Sequence, residues 1–85
     1  MEIMNFTYKS NEYQAIIKQQ NIGHSIHFKF TIMNGDLESL MYNCNKVIFE
    51  NGEFNFNDQA TIEQQKVLCS VCRSILQLIN EPVIF

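Results

Sequence analysis

The sequence has few basic residues and no long apolar run. Six Lys and Arg side chains stand against nine Asp and Glu side chains, so the formal net charge is −3. A transmembrane helix needs about 20 consecutive apolar residues, and a signal peptide needs a basic stretch followed by an apolar one. Neither pattern is present. We therefore expect a cytoplasmic protein without membrane contact.

The sequence contains only three cysteines, an odd number. A complete set of intrachain disulfides is therefore excluded, and reduced thiols are the simplest interpretation. Cys69 and Cys72 form a Cys-x-x-Cys motif, but only Cys44, His24 and His27 could complete a zinc site with them. A redox pair belongs at a helix N-terminus, whereas this motif falls inside a predicted helix. We therefore interpret the pair as buried core thiols and predict no cofactor.

The sequence contains no catalytic constellation. A catalytic histidine needs a nucleophile or an orienting carboxylate beside it, and neither His24 nor His27 has such a neighbour in the pattern. Most acidic residues fall at predicted turns, where carboxylates are usually solvated rather than held in a pocket with a shifted pKa. We therefore predict that the protein is not an enzyme.

The strongest pattern in the chain is an amphipathic helix over residues 58–80. Polar residues recur at steps of three and four, and the apolar arc opposite them is wider than a coiled-coil seam. The centre of the arc consists of Leu68, Val71, Cys72, Ile75, Leu78 and Ile79. A helix with this arc is expected to pack against a sheet.

The ends of this helix carry recognisable signals. Asn57 or Asp58 is the expected N-cap, because their side chains can accept a hydrogen bond from a first-turn amide. A capping box of Thr61 and Gln64 would begin the helix one turn later. Pro82 disfavours helical geometry at the residue before it and therefore ends the helix.

Alternating patterns upstream predict an antiparallel sheet. Residues 1–8, 13–18 and 26–32 each alternate apolar and polar side chains, which is typical of strands. The third strand is the clearest. One of its faces carries Ile26, Phe28, Phe30 and Ile32, and the other carries His27, Lys29 and Thr31. A strand with one apolar and one polar face belongs to a sheet that is covered on one side.

Two further elements complete the predicted fold. Asn51-Gly52 predicts a hairpin turn with Phe49 opposite Phe54 and Glu50 opposite Glu53. Residues 36–44 have the spacing of a short helix capped by Asp36, although a strand that pairs back on the third strand is the alternative. We prefer the helix because the strand would place Ser39 and Asn43 on the core face.

The prediction is thus one α+β domain over residues 1–85. Its antiparallel sheet has four to five strands, and one long C-terminal helix packs on one face.

The aromatic residues are assigned mostly to the core. Phe side chains could serve as stacking platforms for bases, but their positions are better explained by the apolar sheet face. Tyr8, Tyr13 and Tyr42 are expected to be partly exposed contacts, since a phenol suits the wet edge of an interface.

The charges are unevenly distributed along the chain. Residues 1–35 carry two acids and three lysines, whereas residues 36–63 carry six acids and only Lys46. A nucleic-acid-binding protein normally gathers Lys and Arg on one face. Scattered basic residues in an acidic chain argue against direct nucleic-acid binding and favour a protein partner with a basic surface.

By elimination, we predict a non-enzymatic protein-binding module. Small phage and mobile-element proteins, including anti-CRISPR inhibitors that occlude a nucleic-acid-binding surface, are similar in size and charge, although no motif matches a named family. The predicted partner-binding residues are Asp36, Glu38, Tyr42, Glu50, Glu53, Asp58 and Glu63. The alternatives are a homodimer or larger homo-oligomer built through strand edges or residues 82–85, and a metal or redox protein that uses Cys69 and Cys72.

Overall fold

The computed structural model of the protein describes residues 2–80, apart from the side chain of Asn80. The elements in chain order are β1 (Glu2–Tyr8), β2 (Asn11–Ile22), β3 (Ser25–Ile32), α1 (Gly35–Leu40), β4 (Lys46–Glu50), β5 (Glu53–Asn55) and α2 (Ile62–Asn80). This order confirms the predicted α+β fold. Met1, which was predicted to begin the first strand, and residues 82–85 lie outside the described residues.

The five strands form one antiparallel sheet in the order β1-β2-β3-β4-β5. The predicted hairpin turn is present at Asn51 and Gly52, where φ of 54° and 78° fits a type I′ turn. The turn between β1 and β2 has the same left-handed backbone at Lys9 and Ser10, with φ of 50° and 64°. Neither residue is glycine, so this turn costs about 1–2 kcal/mol per residue.

The core lies between one face of the sheet and α2. The buried sheet residues are Met4, Phe6, Tyr8, Ala15, Ile17, Phe28, Phe30, Ile32 and Val47, and the buried residues of α2 are Val67, Leu68, Val71, Cys72 and Ile75. The predicted packing of the helix on the apolar sheet face is therefore confirmed.

The last turn of α2 departs from the prediction. Leu78 and Ile79, assigned to the apolar arc, are 42% and 37% exposed. Leu78 lies with Gln77 beside Ile3 and Asn5 of β1, where the two elements line an open depression. The last helical turn is therefore close to the strand but is not covered by it.

The start of α2 also corrects the preferred prediction, because the helix begins at Ile62 rather than at Asp58. The Gln64 amide donates to Thr61 Oγ1 at 3.1 Å, and the Thr61 amide donates to Gln64 Oε1 at 2.8 Å. This is the alternative capping box. Asn57 instead accepts a hydrogen bond from the Gln59 amide at 2.9 Å, which closes a turn before the helix.

The short helix predicted within residues 36–44 is present as α1, but it spans Gly35–Leu40 and its cap differs. The Leu37 amide donates to Asn34 Oδ1 at 3.1 Å, so Asn34 is the N-cap and Asp36 lies in the first turn. An acid there is favourable beside the positive end of the helix. Leu37 and Met41 are buried, as the helical spacing predicted.

Candidate functional site

The face of the sheet turned away from α2, here called the open face, carries the alternate residues of every strand. Its side chains are exposed or half-buried, in contrast to their chain neighbours in the core. They include Ile3, Asn5, Thr7, Glu12, Gln14, Ile16, Lys18, Gln20, His27, Lys29, Thr31, Lys46, Ile48, Glu50, Glu53 and Asn55. None of these residues is Phe or Tyr.

Three lysines lie side by side on the open face. Lys18 of β2 is directly opposite Lys29 of β3, and Lys29 is directly opposite Lys46 of β4. Neighbouring strands are about 4.8 Å apart, so the three Cα atoms span roughly 10 Å across the sheet. We call these residues the lysine row. It contains three of the six basic residues of the chain.

The lysine row is unfavourable for folding. Like charges that are directly opposite in a sheet destabilise it. All three lysines are exposed, and within residues 2–80 no carboxylate oxygen lies within 4.0 Å of their ammonium groups. Local rules of stability are most often broken at functional sites. The lysine row is therefore our strongest candidate for a site.

A depression of about 580 Å³ accompanies the lysine row, a volume within the usual range of ligand sites. It is lined by Lys18, Gln19, Gln20, His27, Lys29, Asn45 and Lys46. The lining supplies ammonium and amide donors but no carboxylate. His27 Nδ1 is buried there with no hydrogen-bond partner in the described part of the chain. Such a lining suits an anion rather than an apolar ligand.

The predicted acidic residues lie at two ends of the sheet. Asp36, Glu38 and the 79%-exposed Tyr42 are in or just after α1, which follows β3. Glu38 Oε1 accepts a hydrogen bond from the Ile32 amide at 3.2 Å, which ties α1 to that strand. Asp58 is exposed in the segment before α2. The role of these residues in partner binding stays a prediction.

Glu50 and Glu53 lie at the opposite end, where β4 turns into β5. They are directly opposite each other and exposed, as the sequence predicted. Phe49 and Phe54 form the next pair, with ring centroids 4.8 Å apart. This aromatic contact stabilises the hairpin beside the like-charged pair.

Glu63 takes part in a cluster that joins α2 to the turn after β1. It accepts hydrogen bonds from the Tyr8 hydroxyl on Oε2 and from Lys9 Nζ on Oε1 at 2.9 Å. These two bonds lower the pKa of Glu63, and the bond to Glu63 raises the pKa of both Tyr8 and Lys9. Tyr8 was predicted to be partly exposed, but it is buried in the core. Its hydroxyl contacts Glu63, and Lys9 Nζ lies 5.4 Å from the centroid of its ring.

The cysteines are not brought together as a site. Cys44 and Cys72 are buried, whereas Cys69 is exposed, so the prediction of a buried pair is wrong for Cys69. Burial, and to a lesser extent the neighbouring Cys69, raises the pKa of Cys72 to about 12. Across the described residues, no three His, Cys, Asp or Glu side chains are grouped so that they could hold a metal ion.

Sequence reasoning missed the lysine row because its members are 11 and 17 positions apart. The sequence did contain a signal for the pairing of Lys18 with Lys29. A two-residue turn at Gly23 and His24 brings Lys18 opposite Lys29, and Gly23 does have a left-handed backbone with φ of 58°. Lys46 lies beyond α1, and no turn rule sets its register. The structure thus removes the premise that the basic residues are scattered.

Neither helix described in residues 2–80 is long and apolar enough to cross a membrane. Comparison with protein-family models, with curated proteins and with solved structures finds no match to this chain.

Proposed function

We propose that this protein is a non-enzymatic binding module whose open sheet face binds an anionic region of a macromolecular partner. The observation that carries the proposal is the lysine row, in which Lys18, Lys29 and Lys46 lie directly opposite one another. A bound anion would relieve the repulsion among the three ammonium groups. The charge that opposes folding would then favour binding.

The surroundings of the row support binding rather than catalysis. The depression is lined by three ammonium groups, three side-chain amides and one imidazole. No thiol, hydroxyl or carboxylate lines it, so it lacks the usual pairing of a nucleophile with an oriented base. Exposed lysines also attract an oppositely charged partner over several ångströms and speed its association.

The proposal is tested by titrating the protein with two polyanions, inorganic polyphosphate and polyglutamate. The variant Lys29→Gln removes the middle charge of the row. The matched control is Lys66→Gln, which makes the same change in net charge on an exposed helix position. We expect Lys29→Gln to weaken binding about fivefold, since one charge contact contributes on the order of 1 kcal/mol.

Lys66→Gln should change the affinity less than about twofold in the same titration, because the charge that it removes lies outside the proposed contact. Failure of the wild-type protein to bind either polyanion at low salt would overturn the proposal. An equal loss of affinity in both variants would overturn it as well, because net charge alone would then explain the binding.

A second candidate keeps the predicted basic protein partner. The exposed Glu50 and Glu53 face each other at the hairpin tip, and a cationic partner would relieve their repulsion. An inhibitor of the phage type would use this tip to occlude a basic surface. The test is binding to polylysine by Glu53→Gln and by Glu12→Gln, an exposed control on β2. Equal affinities of the two variants would exclude the tip.

The homo-oligomer alternative stays a prediction. β1 and β5 are the two edges of the sheet, and an exposed edge can pair with a second chain. The predicted docking role of residues 82–85 lies outside the described residues. Solution mass measured with and without those four residues decides between a monomer and an assembly that depends on them.

A further inference from the structure

We infer that the anion bound by the lysine row is the phosphate backbone of a single-stranded nucleic acid, lying across β2, β3 and β4 and bound without regard to base sequence. This inference rests on the function proposed above and names the chemical class of its ligand. It reverses the expectation drawn from the scattered basic residues, since the sheet register brings three of them together.

The shape of the lysine row favours an extended anion. The row runs perpendicular to the strands, with neighbouring backbones about 4.8 Å apart. A compact anion would need the ammonium groups to converge, whereas a linear polyanion presents one charge after another along the row. A nucleic-acid strand carries one phosphate per roughly 3.4 Å when stacked and is longer per phosphate when extended. Flexible lysine stems can adapt to a spacing in this range.

The residue type within the lysine row also bears on the ligand. The row contains lysine only, and the one arginine of the chain, Arg73, is on α2. Arginine has a planar fork that matches carboxylate and phosphate bidentately, whereas lysine binds an anion as a point charge without a fixed geometry, which suits the loosely positioned phosphates of a flexible backbone. Side-chain amides such as those of Gln20 and Asn45, which line the same depression, are common phosphate partners. The lining therefore fits the phosphates of a nucleic-acid backbone, and a polyglutamate titration distinguishes them from the carboxylates of an acidic protein.

The open face offers no platform for the bases. Along the five described strands it carries no Phe or Tyr, and Phe28 and Phe30 belong to the core face. Without an aromatic platform, base stacking cannot add affinity or base preference. The face also has no helix or two-stranded ribbon that would enter the major groove of a duplex. What remains is contact with the backbone of a flexible strand.

These features predict weak and strongly salt-dependent binding. For single strands the logarithm of the affinity falls with the logarithm of the salt concentration by about 0.7 per phosphate contact, so three contacts give a slope of about −2. The net charge of −3 opposes association with a polyanion at long range, which also lowers the expected affinity. Binding should therefore be largely lost at a few hundred millimolar salt.

The test uses fluorescence anisotropy with labelled oligothymidylate, oligoadenylate, a duplex and polyglutamate of matched charge, each titrated with the full chain between about 20 and 200 mM salt. We expect the two single strands to bind within about threefold of each other, and the duplex and polyglutamate to bind more weakly. Lys29→Gln should reduce the magnitude of the slope, from about −2 to about −1.4. Lys66→Gln should leave it unchanged.

Each of the other outcomes overturns a defined part of the inference or of the proposed function. If polyglutamate binds as tightly as the single strands, the nucleic-acid inference fails while the proposed anion-binding face stands. If no polyanion binds, both fail. If the duplex binds equally well, the ligand is not single-stranded, and a strong preference for one base contradicts backbone binding. Far-ultraviolet circular dichroism checks the fold of Lys29→Gln, and Lys18→Gln and Lys46→Gln repeat the test at the ends of the row.

Discussion

The two faces of the sheet are built from neighbouring residues of the same strands, yet they have opposite effects on stability. On β3 the side chains of Phe28 and Phe30 are 4% and 0% exposed, and Lys29 between them is exposed. The covered face buries apolar surface, which is the main favourable contribution to folding. The open face carries three adjacent lysines, whose mutual repulsion opposes folding, and exposed glutamates farther along its strands. Recognition of a partner is therefore expected on the open face, where packing of the core does not restrict the residue type.

Helix α2 repeats this contrast with a single pair of residues. Cys72 faces the core and Cys69 faces outward, although they are three residues apart. The contrast between covered and open surfaces leads to four predictions, which differ in the size of the expected effect.

The largest effect on stability is expected from Phe30→Ala. Phe30 is fully buried at the centre of the covered face, so its truncation should lower the free energy of unfolding by about 3–5 kcal/mol. The neighbouring open-face change Thr31→Ala should stay within about 0.5 kcal/mol. Urea unfolding followed by circular dichroism measures both. Similar losses at the two positions would contradict the division of the sheet into two faces.

The cysteines give a large kinetic contrast. The thiolate is the reactive form of cysteine, and the pKa of Cys72 is raised from 9.0 to about 12, which lowers its thiolate fraction on the order of a thousandfold. A disulfide reagent should therefore modify one thiol quickly in the native protein and all three in urea. The fast phase should disappear in Cys69→Ser. Two fast thiols in the native protein would show that Cys72 is not protected.

The Tyr8, Lys9 and Glu63 cluster predicts a dependence of stability on pH. The pKa of Glu63 is lowered from its ordinary 4.5, so its stabilising effect is present above that value and is lost as the pH falls below it. The pKa values of Tyr8 and Lys9 are raised from 10.0 and 10.5, so their effect is present below those values and is lost in stronger base.

Urea midpoints measured from about pH 6 down to about pH 3, a range that includes the ordinary carboxyl pKa, should therefore fall less steeply for Glu63→Gln than for the wild-type protein. Glu12→Gln is the control, because Glu12 is exposed and makes no ion pair within the described residues. A slope for Glu63→Gln equal to that of the wild type would show that the cluster does not contribute.

The smallest effect is expected from Lys29→Gln, and its sign is informative. Removing the middle charge of the lysine row should raise the free energy of unfolding by about 0.2–1 kcal/mol at low salt, and less at high salt, where the repulsion is already screened. The same variant is expected to lose polyanion affinity. A gain in stability together with a loss of binding would show that the lysine row supports binding and lowers the stability of the fold. A destabilised variant would indicate that the lysine stems contribute to packing.

Much of the fold could be predicted because its determinants are local. Period-two alternation identified the core face of β3, and the Asn51-Gly52 turn placed Phe49 opposite Phe54. Errors arose where two local signals competed. Asn34 was passed over in favour of Asp36 as the cap of α1, and the capping box at Thr61 prevailed over Asn57 and Asp58 at the start of α2.

The candidate site was not predicted, although its residues were all assigned to strands or their ends. The sequence by itself determined which elements form and which face of each is apolar, because turns and side-chain periodicity act over a few residues. Only the tertiary structure decided that Lys46 lies opposite Lys29 and that Glu63 reaches Tyr8. Those contacts join elements separated by a helix or by most of the chain, so packing across the core, and no local rule, sets their register.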